Sequence, residues 1–188
     1  MEINREVAWQ LLTEFTKNDS LIKHALAVEA AMRDYAEKFS EDPEKWGFVG
    51  LIHDFDYEQH PTAAEHPQVG AAILEERGFP PDIIYAVKSH AQHLNLPRER
   101  PIEKVLFAVD ELCGFITAAT LVRPGKKVAE LPVSSVKKKL KDKAFARSVN
   151  REEIYESAAA LGMDLDQHIA FVIAAMARVA DRLGLAGE

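Results

Sequence analysis

The sequence predicts an all-α fold, a single helical bundle over residues 1–188. Three observations predict it. Apolar residues recur at three- and four-residue spacing along most of the chain, and strict alternation is almost absent. The periodic segments are bounded by residues that start and stop helices. No repeat, low-complexity tract or linker interrupts them, and 188 residues with 47% apolar content suffice for one sizeable core.

The elements follow in order. Asn4 opens a short amphipathic helix carrying Val7, Ala8, Leu11, Leu12 and Phe15. Asp19 or Ser20 is expected to cap a longer helix reaching about Phe39. Its apolar stripe reads Leu21, His24, Val28, Ala31, Met32 and Tyr35, so His24 faces inward. Asp42-Pro43 begins a third helix, with proline in its first turn. It runs through the apolar Phe48–Ile52 into His53-Asp54. The segment from Phe55 to Ala64 reads as a polar, acidic loop. His66-Pro67 opens a fourth helix that stops at Gly78, and Pro80-Pro81-Asp82 opens a fifth that carries His90 near its end.

Pro101 begins a sixth helix, which extends to about Leu121. Val105, Leu106, Val109, Leu112, Cys113 and Ile116 form its inner face, and Asp110 is an acid inside that oily stretch. Arg123-Pro124-Gly125 ends it. A short basic helix follows at about Ser134 to Lys141. Asn150 with Glu153 three residues on resembles a capping box. A last helix is expected from about Asp164 to Leu183, ending at Gly184. The core is expected over about residues 20–122, with the helices of about 134–184 packed on it.

Charge and cysteine content exclude several classes. The net charge of −7 argues against a nucleic-acid partner. It is unevenly spread: between Arg123 and Arg151, ten basic residues face two acids. That segment carries +8, which leaves −15 on the remainder. Such a segment is either a phosphate contact or a solvated face. The single Cys113 excludes a disulfide framework and a thiolate-rich zinc site, and reads as buried filler in a reducing compartment. The first residues lack the basic-then-apolar order of a secretory signal, and no apolar run is long enough to span a membrane. A cytoplasmic protein without a membrane partner is expected; oligomerisation is left open.

The chemistry-bearing pattern is the order His24, His53-Asp54, His66, His90, Asp110. An imidazole and a carboxylate at the end of an apolar run need a partner that offsets their desolvation, and a divalent cation is one. Helix bundles build metal sites from side chains on facing helices.

The segments "KHALAVEAAMRDYA", "WGFVGLIHDFDYE" and "AVDELCGFITAATLVRP" resemble the HD-domain superfamily of metal-dependent phosphohydrolases, in particular its small bacterial HDIG-related members. The resemblance runs from about Ser20 to the last helix. It implies a helical bundle of the HD-domain type, with one metal ion held by His24, His53, Asp54 and Asp110. "HPQVGAAIL" and "KSHAQH" resemble the segments that supply two more histidines in relatives with a second ion, which would be held by His66 and His90 with Asp54 bridging. The ion would be Fe, Mn, Zn, Co or Ni. The chain departs from the HD-GYP cyclic-dinucleotide phosphodiesterases: His90 is followed by Ala91-Gln92-His93-Leu94-Asn95, and Phe55-Asp56-Tyr57-Glu58 follows the doublet without the lysine often found there. Cleavage of cyclic dinucleotides is therefore not expected.

The expected activity is hydrolysis of a phosphate ester of a nucleotide or other small phosphorylated metabolite by metal-activated water. His53 and Asp54 would stand at the reaction centre, with Asp56 or Glu58 as proton acceptors. Arg123, Lys137 and Lys138 are expected to anchor the phosphate. His93 is expected to face either the site or solvent, and His60 and His168 to be surface or structural. Two other classes remain open: a di-iron oxygenase using the same six ligands, and a non-catalytic module that binds a nucleotide or metal.

Overall fold

Asn18, rather than Asp19 or Ser20, caps the helix that carries His24. Its Oδ1 accepts from the backbone N–H of Ser20 (2.9 Å) and Leu21 (3.2 Å), the bonds that satisfy a helix's first free donors. Asp19 instead lies in the first turn and pairs with Lys23 one turn on. The computed structural model describes residues 2–187. It contains helices α1 (Arg5–Phe15), α2 (Asp19–Phe39), α3 (Pro43–Ile52), α4 (Gln68–Glu76), α5 (Pro81–Ser89), α6 (Pro101–Leu121), α7 (Val133–Leu140), α8 (Arg151–Ala160), α9 (Leu165–Arg178) and α10 (Ala180–Leu183). Among the described residues there is no strand, only an isolated bridge between Lys127 and Ala186. The all-α expectation holds.

Three helices form the centre. α3 is buried nearly all round, with Phe48, Val49, Leu51 and Ile52 fully enclosed, and it packs along α2. Gly50 permits the contact: a Cβ there would come within 3.1 Å of the Glu29 backbone and 2.9 Å of Met32 Cγ. α6 crosses the same core, with Leu106, Val109, Leu112, Phe115 and Ile116 fully enclosed. α1 covers α3, while α8 and α9 cover α6. One continuous apolar cluster runs from Ala8 in α1 to Leu185 after α10. Cys113 lies within it, as expected.

His168 proves structural. It is fully buried; its Nδ1 lies 2.6 Å from the Tyr35 hydroxyl and its Nε2 3.0 Å from the Ala108 carbonyl. An N–H on Nε2 donates to the carbonyl, and Nδ1 accepts from the hydroxyl. One ring thus ties α9 to α2 and α6, and burial holds it neutral by lowering its pKa.

Two boundaries differ from the sequence reading. The last helix breaks at Val179, and the chain after α10 turns back so that the Leu185 carbonyl accepts from the Val128 N–H at 2.9 Å. That contact buries Leu183 and Leu185, which a straight helix would carry away. The segment after the doublet is not uniformly polar surface. Phe55 is fully buried edge-on to Phe15, Thr16 Oγ1 donates to its carbonyl at 2.9 Å, and Asp56 is fully buried too.

Among the described residues no single helix is long and apolar enough to cross a membrane. Only α8 with α9 reach the length together, and they are bent by 101°.

Candidate metal centre

His24 comes from the second turn of α2, Asp110 from the middle of α6, and His53 from the C-cap of α3 with Asp54 next in the chain. The Gly50 contact between α2 and α3 brings His24 and His53 together, with ring centroids 5.2 Å apart. His24 Nε2 lies 3.0 Å from Asp110 Oδ1, and His53 Nε2 lies 3.4 Å from Asp110 Oδ1 and 3.5 Å from Asp54 Oδ2. The other Asp54 oxygen, Oδ1, is 3.1 Å from His66 Nε2 and 3.2 Å from His90 Nε2. These residues form two donor sets, His24–His53–Asp54–Asp110 and Asp54–His66–His90. Within each, the donor atoms lie within 4.8 Å of one another. Asp54 offers one oxygen to each.

The ring tautomers are set from behind. His53 Nδ1 lies 2.8 Å from the Gly50 carbonyl, His90 Nδ1 2.5 Å from the Val87 carbonyl, and His66 Nδ1 2.8 Å from Asp56 Oδ1. All three partners only accept, so each Nδ1 carries a proton and, in the neutral ring, each Nε2 presents a lone pair to the centre. His53 Nε2 is then buried without a hydrogen-bond partner. The Nε2 atoms of His66 and His90 face each other at 3.1 Å beside a carboxylate oxygen. Lone pairs so arranged repel unless a positive charge lies among them. Divalent cations suit nitrogen and carboxylate donors of this kind, so the residues fit a metal.

The electrostatics agree. Burial alone would lower the His53 pKa, but Asp54 and Asp110 outweigh it and raise it to about 9. The same opposition at His66, with Asp54 and Asp56 as the anions, gives about 10. Burial would raise the Asp54 and Asp110 carboxyls; the imidazoles overcome it and hold both well below the usual carboxylate range.

Asp56 is not a proton acceptor at the cavity. It is fully buried behind His66, where its second oxygen accepts from the Gly70 N–H at 2.8 Å. A Cβ at position 70 would lie 2.7 Å from that carboxyl group, so only glycine fits. Glu58 also turns away. It is exposed and accepts from the N–H groups of Lys17 (2.7 Å) and Asn18 (2.9 Å) ahead of α2. The sequence does hold the signal for Asp56, since His66 and Gly70 are one helical turn apart, but that spacing points to no partner across the loop.

One of the six donor residues, His53, is fully buried, and the other five line a cavity of about 620 Å³. Arg123, Lys137 and Lys138 are not among its lining residues, nor is any other lysine or arginine. The reason is distance along α6: the eleven residues from Asp110 to Leu121 advance it by about 16 Å. Arg123 there donates to the Glu130 carbonyl at 3.2 Å, Lys137 pairs with Asp166 at 2.5 Å, and Lys138 is exposed. His93 does line the cavity, and so does Gln92. His60 faces Glu65 at 3.5 Å instead. The sequence reading missed two wall carboxyls, Glu111 and Glu153, which the backbone and side chain of Asn150 hold at 3.2 and 2.6 Å. Burial, with Asp110 beside it, pushes Glu111 up to about 7.

A family model for the HD domain matches residues 21–115, half of the chain. The chain belongs to the HD-domain family. The matched span contains all six donor residues; Ser148, Val149 and Glu153, which also line the cavity, lie outside it. HD-domain proteins are mostly metal-dependent hydrolases. No curated protein and no solved structure matches the chain.

Proposed function

We propose that this protein is a metal-dependent phosphohydrolase that cleaves a phosphate ester of a nucleotide or another small phosphorylated metabolite in the cytoplasm. The observation that carries the reading is the pair of donor sets sharing Asp54 on the wall of an open cavity. His24, His53, Asp54 and Asp110 would hold one ion, and Asp54, His66 and His90 a second, each being Fe, Mn, Zn, Co or Ni. When bound, such a cation lowers the pKa of water toward neutrality and offsets the negative charge of a phosphoryl group.

The chain's own residues do the rest. Gly50, Val87 and Asp56 fix the three rings, so the donors need little reorganisation. With no lysine or arginine on the wall, the side chains of His93, Gln92, Tyr57 and Ser148 are the donors left to meet phosphate oxygens. Glu111 and Glu153 line the same cavity and would accept from a hydroxyl or amino group carried by the substrate near its phosphate.

Elemental analysis of the purified protein, joined to a phosphate-release screen over nucleotides and sugar phosphates with each divalent metal, tests the proposal. Metal-dependent release supports it, and full activity in a metal-stripped sample sinks it. The shared carboxylate between two histidine-bearing sets also suits a di-iron oxygenase, and oxygen uptake without phosphate release would favour that reading.

A further inference from the structure

Gly114 lies inside α6, where glycine is a poorer helix former than alanine, and a Cβ there would meet nothing within 4 Å. It lines the metal cavity and also a second cavity of about 360 Å³, and His24 is the other residue common to both. The two spaces therefore adjoin beside the first donor set, at a position that bears no side chain. The walls of the second space are Leu121, Leu183 and Leu185, with Thr117 on α6 and Ser20 and Lys23 on α2. Leu121 is about half exposed, which leaves an apolar surface open to a ligand. No aromatic ring other than His24, no carboxylate and no amide side chain lines this space. A nucleobase would find little to stack on and few partners for its edge, whereas a hydrocarbon chain needs neither.

We propose that the second cavity is a subsite for the aliphatic part of the substrate, so that the preferred substrate class is an alkyl-type phosphate monoester with its phosphoryl group at the metal donors and its chain past Gly114. The choice of a phosphate ester rests on the phosphohydrolase reading; the apolar subsite itself does not.

Ethyl, butyl and octyl phosphate, assayed with the metal-loaded protein, test it. kcat/KM rises with chain length, by up to roughly fourfold per methylene buried. Gly114→Leu fills the junction and lowers the octyl-to-ethyl ratio at least tenfold while metal content is unchanged. Thr117→Phe, which lies in the second cavity only, lowers the same ratio and serves if Gly114→Leu folds poorly. Equal kcat/KM for ethyl and octyl phosphate in the unaltered protein overturns the subsite and leaves the phosphohydrolase reading standing. A chain-length preference that survives both substitutions overturns its location. Absence of turnover with every ester counts against the phosphohydrolase reading instead. Calorimetric binding of ethylphosphonate and octylphosphonate then decides: tighter octyl binding lost in Gly114→Leu supports the subsite, and equal binding overturns it.

Discussion

Asp56 Oδ1 lies 2.8 Å from His66 Nδ1, on the side of the ring away from the cavity. The carboxylate orients the imidazole, and the Gly70 N–H in turn holds the carboxylate. Losing such a partner behind a metal-binding histidine typically costs ten- to a hundredfold in affinity. Asp56→Ala should therefore weaken binding at the His66–His90 set by that factor and leave the His24–His53–Asp110 set loaded. Stoichiometry by elemental analysis after dialysis checks this; two ions retained with undiminished affinity would contradict it.

Asp54→Ala removes the one residue common to both sets. Loss of both ions and of turnover is expected together, whereas His90→Ala should spare one ion. Titration with Mn²⁺ or Zn²⁺ separates the two, and equal stoichiometry in both variants would show that Asp54 is not shared.

The pH dependence has a definite sign. In the metal-free protein, the folded pKa values of His53 and His66 are about 9 and 10, above the 6.5 of an ordinary histidine. Protonation of these rings thus stabilises the metal-free fold fully below about pH 6.5, and that contribution is lost as pH rises through 9 to 10. A cation replaces those protons, so its affinity should increase over the same window. The rise in Tm on adding metal should be larger at pH 9 than at pH 6. A metal-induced shift that does not vary with pH would count against proton displacement.

Tyr35→Phe tests the core without touching the centre. Removing the hydroxyl leaves the buried His168 Nδ1 without its donor, at a cost of about 1–3 kcal/mol. Chemical denaturation should show the loss, with metal stoichiometry unaltered.

Lys137→Ala and Lys138→Ala should not change KM for a phosphate ester. Both side chains lie outside the cavity wall, and Lys137 is engaged with Asp166. A large rise in KM in either variant would place phosphate recognition elsewhere.

The helices were legible because their apolar stripes and caps are local. Leu21 to Tyr35, Asp42-Pro43 and Pro101 to Leu121 each announce one element within a few residues. The ligand residues were legible for another reason: ionisable side chains on apolar faces require a partner, and their order resembles a known family. What stayed hidden depends on contacts across the fold. Asp56 looked like a loop acid because its partner, His66, lies beyond a turn that periodicity does not encode. Arg123 and Lys137 looked like phosphate anchors by charge alone, and only the length of α6 reveals their distance. Glu111 and Glu153 come from different helices and meet only around Asn150.

A cavity wall with four carboxylates and no lysine or arginine is a poor host for an anion. In the metal-free protein the protonated rings of His53 and His66 only partly offset those carboxyl groups, and divalent cations that displace the protons make the site more positive. The stripped protein should thus bind its own substrate more weakly as well as fail to cleave it. Inside a cell, the active fraction would then follow the supply of free transition metal, so that raising the amount of polypeptide alone would add little turnover.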